Sequence, residues 1–189
     1  VMNTQREIIY KQRSQVLDGE DLHESILKMM EDLITTTVDR YLVDDTVKDD
    51  WNMAGLKEHF NGWLIGPEDL DFTEEEIEDV SKEDIVEALS QKAGEIYQAK
   101  EEEYGDEIMR ELERVILLKV VDTKWMAHID DMEELKKGIG LRSYGQKNPV
   151  IEYRYEGFEM FDAMVESIRE DTVRALLTIR LQRNEPPKR

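Results

Sequence analysis

Apolar residues recur along this chain at steps of three and four, the spacing that gathers them on one face of an α-helix, while alternating β-branched runs of the kind that build strands are nearly absent. From Val1 to about Leu17 the positions Met2, Ile8, Ile9, Val16 and Leu17 fit a helix, which "LDGED" then breaks. Between residues 22 and 42, Leu22, Ile26, Met29, Met30, Leu33, Ile34, Val38, Tyr41 and Leu42 give one broad apolar face. The stretch from Val43 to about Asp79 interleaves Gly55, Gly62, Gly66 and Pro67 with Trp51, Phe60 and Trp63. It predicts short helices and turns, with the two Trp rings anchoring a small local core in preference to binding a ligand.

"SKED" at 81–84 has the form of a capping box, so a helix is expected to start there and run through Ile85, Val86, Leu89, Ala93, Ile96 and Tyr97 to a break at Gly105. Next comes the strongest stripe: Ile108, Leu112, Val115, Ile116, Val120, Trp125, Ile129, Met132 and Leu135. It covers about 30 residues, or roughly 45 Å of helix. A second stripe follows as Phe158, Phe161, Val165, Ile168, Thr172, Leu176 and Ile179. Gly138 and Gly140 are expected to end the first of these helices through positive φ, and Pro149 to restrict the return of a loop of about a dozen residues. Two such stripes joined by such a loop predict an antiparallel pair. The fold class expected is all-α.

Composition narrows the function. The 189 residues, 40% of them hydrophobic, suffice for one packed domain or two small ones. With 45 acidic against 25 basic residues and a formal net charge of -20, a nucleic-acid or anionic-membrane role for the whole surface is disfavoured, and no nucleic-acid partner is expected. The absence of cysteine excludes disulfides and thiolate chemistry. Apolar runs such as "VILLKVV" at 115–121 meet a charge well before the roughly 20 residues needed to span a bilayer. The opening "VMNTQREIIYKQR" is already inside a helical pattern, and the closing "NEPPKR" stops a helix with two prolines, so a piece of a longer polypeptide is expected, ending in a linker.

Candidate chemistry is sparse. Nothing matches the phosphate-binding loop, and "GIGLRSYG" follows a helix where a dinucleotide fingerprint would follow a strand. The acidic run from Glu68 to Glu87 lacks the spacing of a calcium loop and reads as a solvated face. His23, His59 and His128 form no H-x-x-x-H pair, which disfavours zinc. His128 with Asp122 and Asp131 could be an acid–base cluster at helical spacing, but no nucleophile accompanies it and an exposed His–Asp pair is the simpler reading.

The segment "LKKGIGLRSYGQKNPVIEYRYEGF", 135–158, stands apart. From Lys136 to Arg154 its charges are Lys136, Lys137, Arg142, Lys147 and Arg154 against Glu152 alone, a basic tip on an acidic body. Tyr144, between Ser143 and Gly145, could grip another chain with its ring and hydroxyl, or fold back to cap the hairpin core.

"VMNTQREIIYKQR", "ERVILLKVVDTKWMAHIDDMEELKKG" and "GIGLRSYGQKNPVIEYRYEGFEMFDAM" together resemble the C-terminal helical region of the SecA family, the ATP-driven motors of bacterial preprotein export. The resemblance covers essentially the whole chain, most specifically in the first and last of these segments. It implies a long-helix scaffold with a small helical wing subdomain and an antiparallel two-helix finger. Residues 1–18 would be the end of the scaffold helix, 19–105 the wing, 106–182 the finger with its return helix, and 183–189 the start of a C-terminal linker. It further implies that Arg142, Tyr144, Gln146 and Lys147 at the fingertip contact preprotein at the mouth of a SecY-type channel. Scaffold and finger would also touch the motor's own nucleotide-binding domains and restrain their ATPase activity. ATP and magnesium would belong to the full-length motor, a protein of the bacterial cytoplasm lying peripherally on the anionic inner face of the cell membrane. The motor's nucleotide-binding motifs would precede Val1 and a metal-binding tail would follow Arg189, so this fragment is expected to be non-catalytic, with no metal and no cofactor of its own. The rival expectation, from a different class, is an autonomous helical adaptor or holding chaperone that binds unfolded polypeptide without a motor.

Overall fold

A computed structural model describes residues 1–18, 21–43, 47–142 and 148–182, Arg142 by its backbone alone. Among these residues there are seven α-helices and no strand, in agreement with the all-α expectation. They are α1 (Met2–Leu17), α2 (His23–Tyr41), α3 (Met53–Phe60), α4 (Glu74–Asp79), α5 (Lys82–Tyr104), α6 (Asp106–Arg142) and α7 (Pro149–Thr178).

Local chemistry sets most of the boundaries. Asn52, Thr73 and Ser81 each accept a backbone N–H with their side chains at the starts of α3, α4 and α5. The capping box is complete: Ser81 Oγ accepts from Asp84 N at 3.1 Å, and Asp84 Oδ2 accepts from Ser81 N at 3.0 Å. The backbone N–H of Ser81, helped by its side chain, holds the Asp84 carboxyl below its ordinary value. Gly105 breaks the path between α5 and α6 at φ 85°, a conformation that an L side chain rarely adopts. Two lysines finish helices whose last carbonyls lack partners. Lys48 Nζ donates to Glu78 O in the last turn of α4 and to Val80 O just after it, both at 2.8 Å, and Lys100 Nζ donates to Ile179 O at 2.7 Å past the end of α7.

The expected break at Gly138 and Gly140 does not occur. The long helix continues through both to Arg142, and α7 already begins at Pro149. The connection is therefore shorter than expected, and "PVIEYRYEGF" is helix. Ile139, between the two glycines, is 4% exposed and packs with Met132 and Leu135, against Tyr153 and Met160 of α7. Burying a side chain of that size offsets the helix propensity that the glycines forgo, about 1 kcal/mol each.

The two long helices run antiparallel. Gly157 lies against Met132, Phe161 against His128, and Asp171 pairs with Lys124 at 3.0 Å. α1 lies along both, antiparallel to α6: Gln5 meets His128, and Arg13 pairs with Asp122 at 2.9 Å. One core forms between these three helices from Ile9, Val16, Leu117, Trp125, Phe161 and Ile168, among others. A second gathers α2, α3 and α5 around Ile26, Val38, Phe60 and Leu89, and it takes in Met109 from α6 and Val173, Leu176 and Leu177 from the C-terminal end of α7. Trp63 is 6% exposed in that core and Trp51 packs against it, as expected of structural rings.

Candidate functional site

The four residues expected to form the working tip are Arg142, Tyr144, Gln146 and Lys147. The last three, and the side chain of Arg142, lie outside the described residues. What is described is the pair of helix ends that carry them. α6 ends at Arg142, and α7 opens with Asn148 Oδ1 accepting from Val150 N at 3.0 Å and Pro149 in its first turn. Both ends are apolar on their exposed surface: Leu141 is 77% exposed, and Ile151, Tyr155 and Phe158 are each more than half exposed. The last three, four and three residues apart, form one short stripe on α7. A shallow concavity of about 700 Å³ runs beside it, between Ile151, Tyr155 and Met160 and the carboxylates Glu152, Glu156 and Glu159. Lys136, Lys137 and Arg154 are exposed on the same part of the hairpin.

Phe158 thus corrects the expected α7 stripe. The residue facing the core there is its neighbour Gly157, whose missing side chain lets Met132 and Val1 approach. A similar shift runs through the first half of α6. Ile108 and Val115, expected inside, are about half exposed, and the buried row is Met109, Glu113, Leu117, Val121 and Trp125 at steps of four. Ile8 and Leu17 of α1 are exposed as well, while Gln5 is buried beside Ile9 and Val16.

The residues considered for acid–base work do not form one cluster. Asp122 is engaged by Arg13, through Nε at 2.9 Å and Nη2 at 3.3 Å. His128 is buried, contrary to the exposed pair expected, and its ring lies between Trp125 and Phe161 with centroids 5.5 and 5.9 Å away. Its Nε2 is 2.7 Å from Gln5 Oε1, and Gln5 Nε2 donates to Gly157 O at 3.1 Å. Because the Gln5 amide nitrogen faces Gly157, its oxygen faces the imidazole and His128 Nε2 must be the donor. Burial pushes the His128 pKa down, against a smaller upward pull from Asp131.

One polar cluster was not foreseen. Where α2, α5 and α6 meet, Glu113 is fully buried, with Arg110 Nε at 2.9 Å and His23 Nδ1 at 3.5 Å. Arg110 also reaches Glu101 at 3.2 Å, and the His23 ring stacks on Tyr97 with centroids 6.0 Å apart. Burial pushes the Glu113 carboxyl up and Arg110 pulls it back; burial and the nearby Glu113 both push the Tyr97 phenol up. The arrangement joins three helices, with Arg110 paired to both Glu113 and Glu101 and His23 beside Glu113, and it contains no serine, threonine or cysteine to act as a nucleophile. The available sequence signal was Arg110 and Glu113, three apart, with Glu113 falling in register with Met109, Leu117 and Val121.

Among the described residues no group of three or more His, Asp or Glu is placed to hold a metal ion, and no helix is long and apolar enough to cross a membrane.

A long antiparallel hairpin whose root is packed into a small helical core, with a third helix along its side, makes an all-α module. The sequence model of the SecA Wing and Scaffold domain matches residues 1–180, and the chain belongs to that family. It is 46% identical over 189 residues to the protein translocase subunit SecA of Acetivibrio thermocellus, covering all of this chain and 21% of that relative. The same-named subunit of Finegoldia magna is 49% identical over 180 residues, 95% of this chain and 19% of the relative. That of Clostridium perfringens strain 13 is 47% identical over 192 aligned residues, all of this chain and 22% of the relative. The chain thus spans about a fifth of the length of these relatives.

Proposed function

We propose that this chain is the non-catalytic scaffold, wing and finger portion of a SecA-type motor, and that the end of the α6–α7 hairpin touches the preprotein at the mouth of a SecY-type channel. The observation that carries this reading is the hairpin itself. It is a long, stiff helical pair with its root packed in a core and exposed apolar side chains at Leu141, Ile151 and Tyr155 beside the tip. Arg142, Tyr144, Gln146 and Lys147 are the contacting residues in this proposal. An aromatic ring, backbone groups and a few positive charges would tolerate many substrate sequences, as a transporter of many polypeptides needs.

The ATP- and magnesium-binding domains lie elsewhere in the motor, and α1 with the hairpin transmits their motion and restrains their hydrolysis in solution. The motor works from the cytoplasm and meets the anionic membrane face peripherally. The test is ATP-coupled preprotein transport by the full-length motor carrying Tyr144→Ala, alongside thermal unfolding of this chain with the same substitution. Transport lost with melting unchanged is the expected result. Transport retained, or lost only in proportion to stability, would overturn the tip assignment.

A further inference from the structure

A groove between α2 and α5 is lined by those two helices and by no described residue of the α6–α7 hairpin. It is a cavity of about 480 Å³ whose floor is Met30, Ile34, Val86 and Ala93, with Leu27 at its edge. The rim is acidic, with Glu31 and Asp39 from α2 and Glu83 and Glu87 from α5. Among the described residues Lys82 is the one cation lining it, and its Nζ is drawn to Asp39 Oδ1 at 2.7 Å. Among the described residues no Lys or Arg side chain pairs with Glu31, Glu83 or Glu87.

Gly94 supplies a second, independent observation. It lies in the interior of the 23-residue α5 with ordinary helical backbone, it lines the groove, and a Cβ added there would meet nothing within 4 Å. Glycine in a helix interior costs about 1 kcal/mol relative to alanine. At Gly157 that cost is offset by the close approach of Met132, but at Gly94, as at Gly138 and Gly140, no described residue comes within 4 Å of an added Cβ, and of these three Gly94 is the one that lines the groove.

We infer that this groove is a docking site for a basic amphipathic helix of another polypeptide, which lays apolar side chains on the Met30–Ile34–Val86 floor and passes its backbone close to Gly94. Its lysines or arginines would meet Glu31, Glu83 and Glu87, by the helix-in-groove mode in which residues at i, i+3, i+4 and i+7 act as anchors. A second copy of this chain is the weaker occupant, because a body of formal net charge -20 would be brought onto an acidic rim.

The test is fluorescence anisotropy of a labelled helical peptide of about 14 residues, with leucine at helical spacing and lysine elsewhere, titrated with this chain. The same peptide with glutamate for lysine is the comparison. The lysine peptide should saturate and the glutamate peptide should not, and raising NaCl from about 0.05 to about 0.5 M should weaken binding several-fold. Gly94→Phe, which fills open space, and the pair Glu83→Lys with Glu87→Lys should each weaken it by about tenfold or more, with melting unchanged. Glu133→Lys, an exposed acid on α6 away from the groove, should leave it as it was. If Gly94→Phe lowers the melting temperature, the charge-reversed pair decides. No binding, or an equal loss from Glu133→Lys, would overturn the proposal. A concentration-dependent dimer abolished by Gly94→Phe would replace the basic helix with a second copy.

Discussion

Gln5 and His128, 123 positions apart in the chain, face each other at 2.7 Å in the middle of the three-helix layer, and through Gln5 the imidazole is tied to the backbone of Gly157. One side chain of α1 thereby links both long helices. Gln5→Leu nearly keeps the volume but leaves the buried imidazole N–H without a partner, and takes from Gly157 O only the bond it accepts beside its helical one. A buried group left unpaired costs about 1–3 kcal/mol, so urea unfolding of Gln5→Leu should show a loss within that range.

The same imidazole makes stability depend on pH. Its folded pKa lies below the ordinary 6.5, so between the two values the unfolded chain binds a proton that the folded chain refuses. Stability should therefore be fully present above about pH 7 and fall as pH drops through 6.5 toward the lower folded value. The slope is read as wild type minus His128→Phe, from chemical unfolding at several pH values, and its absence would mean that the ring is not held neutral. Glu113 contributes with the opposite sign. Its folded pKa is raised above 4.5, so protonation favours the folded state and its part of the stability grows as pH falls toward 4.5. Glu113→Gln should remove that part.

Gly157 tests how closely α7 must lie on its neighbours. A Cβ there would come within 2.9 Å of Met132 Cε, the far end of a flexible side chain. Gly157→Ala should be nearly neutral, because the methionine methyl can move and helix propensity improves. Gly157→Leu cannot be accommodated in that way and should cost about 1–3 kcal/mol, seen as a lower melting temperature.

Leu176 lies near the end of α7 and is fully buried among residues of α2, α3 and α5. Leu176→Ala should cost about 2–5 kcal/mol. If the two cores unfold together, fluorescence of Trp63 in one and Trp125 in the other will shift at the same lowered denaturant concentration. Separate midpoints would show that the helix couples them weakly.

Much of this fold is written in the sequence as spacing and caps. α2 buries nearly the row that its apolar positions mark, and the Ser81 cap and the Gly105 break fall where their chemistry places them. The misreadings share a cause. Counting only apolar residues leaves Glu113 and Gln5 out of the core and His128 on the surface, which rotates the expected face of α6 toward Ile108 and Val115. Glu113 is tolerated inside because Arg110 stands within 2.9 Å, and that partnership depends on how three helices meet, which no local window contains. Gly157 went unnoticed because close approach leaves no hydrophobic mark. Gly138 and Gly140 looked like a stop because helix propensity was weighed without the burial of Ile139. Of the candidate tip, the sequence supplies the residues and the structure supplies the two helix ends on which they stand.

α7 has one end in the core shared with α2, α3 and α5 and the other at the hairpin's far turn, with α6 and α1 bracing its length. Its 30 residues make a rod of about 45 Å. A rod pivoting at one end multiplies small angles: a tilt of about 5° at Leu176, roughly 40 Å away, carries Pro149 through about 3.5 Å, the length of one residue of extended chain. A small angular change at the root is thus enlarged into a displacement of about one extended residue at the far end, without any helix having to bend.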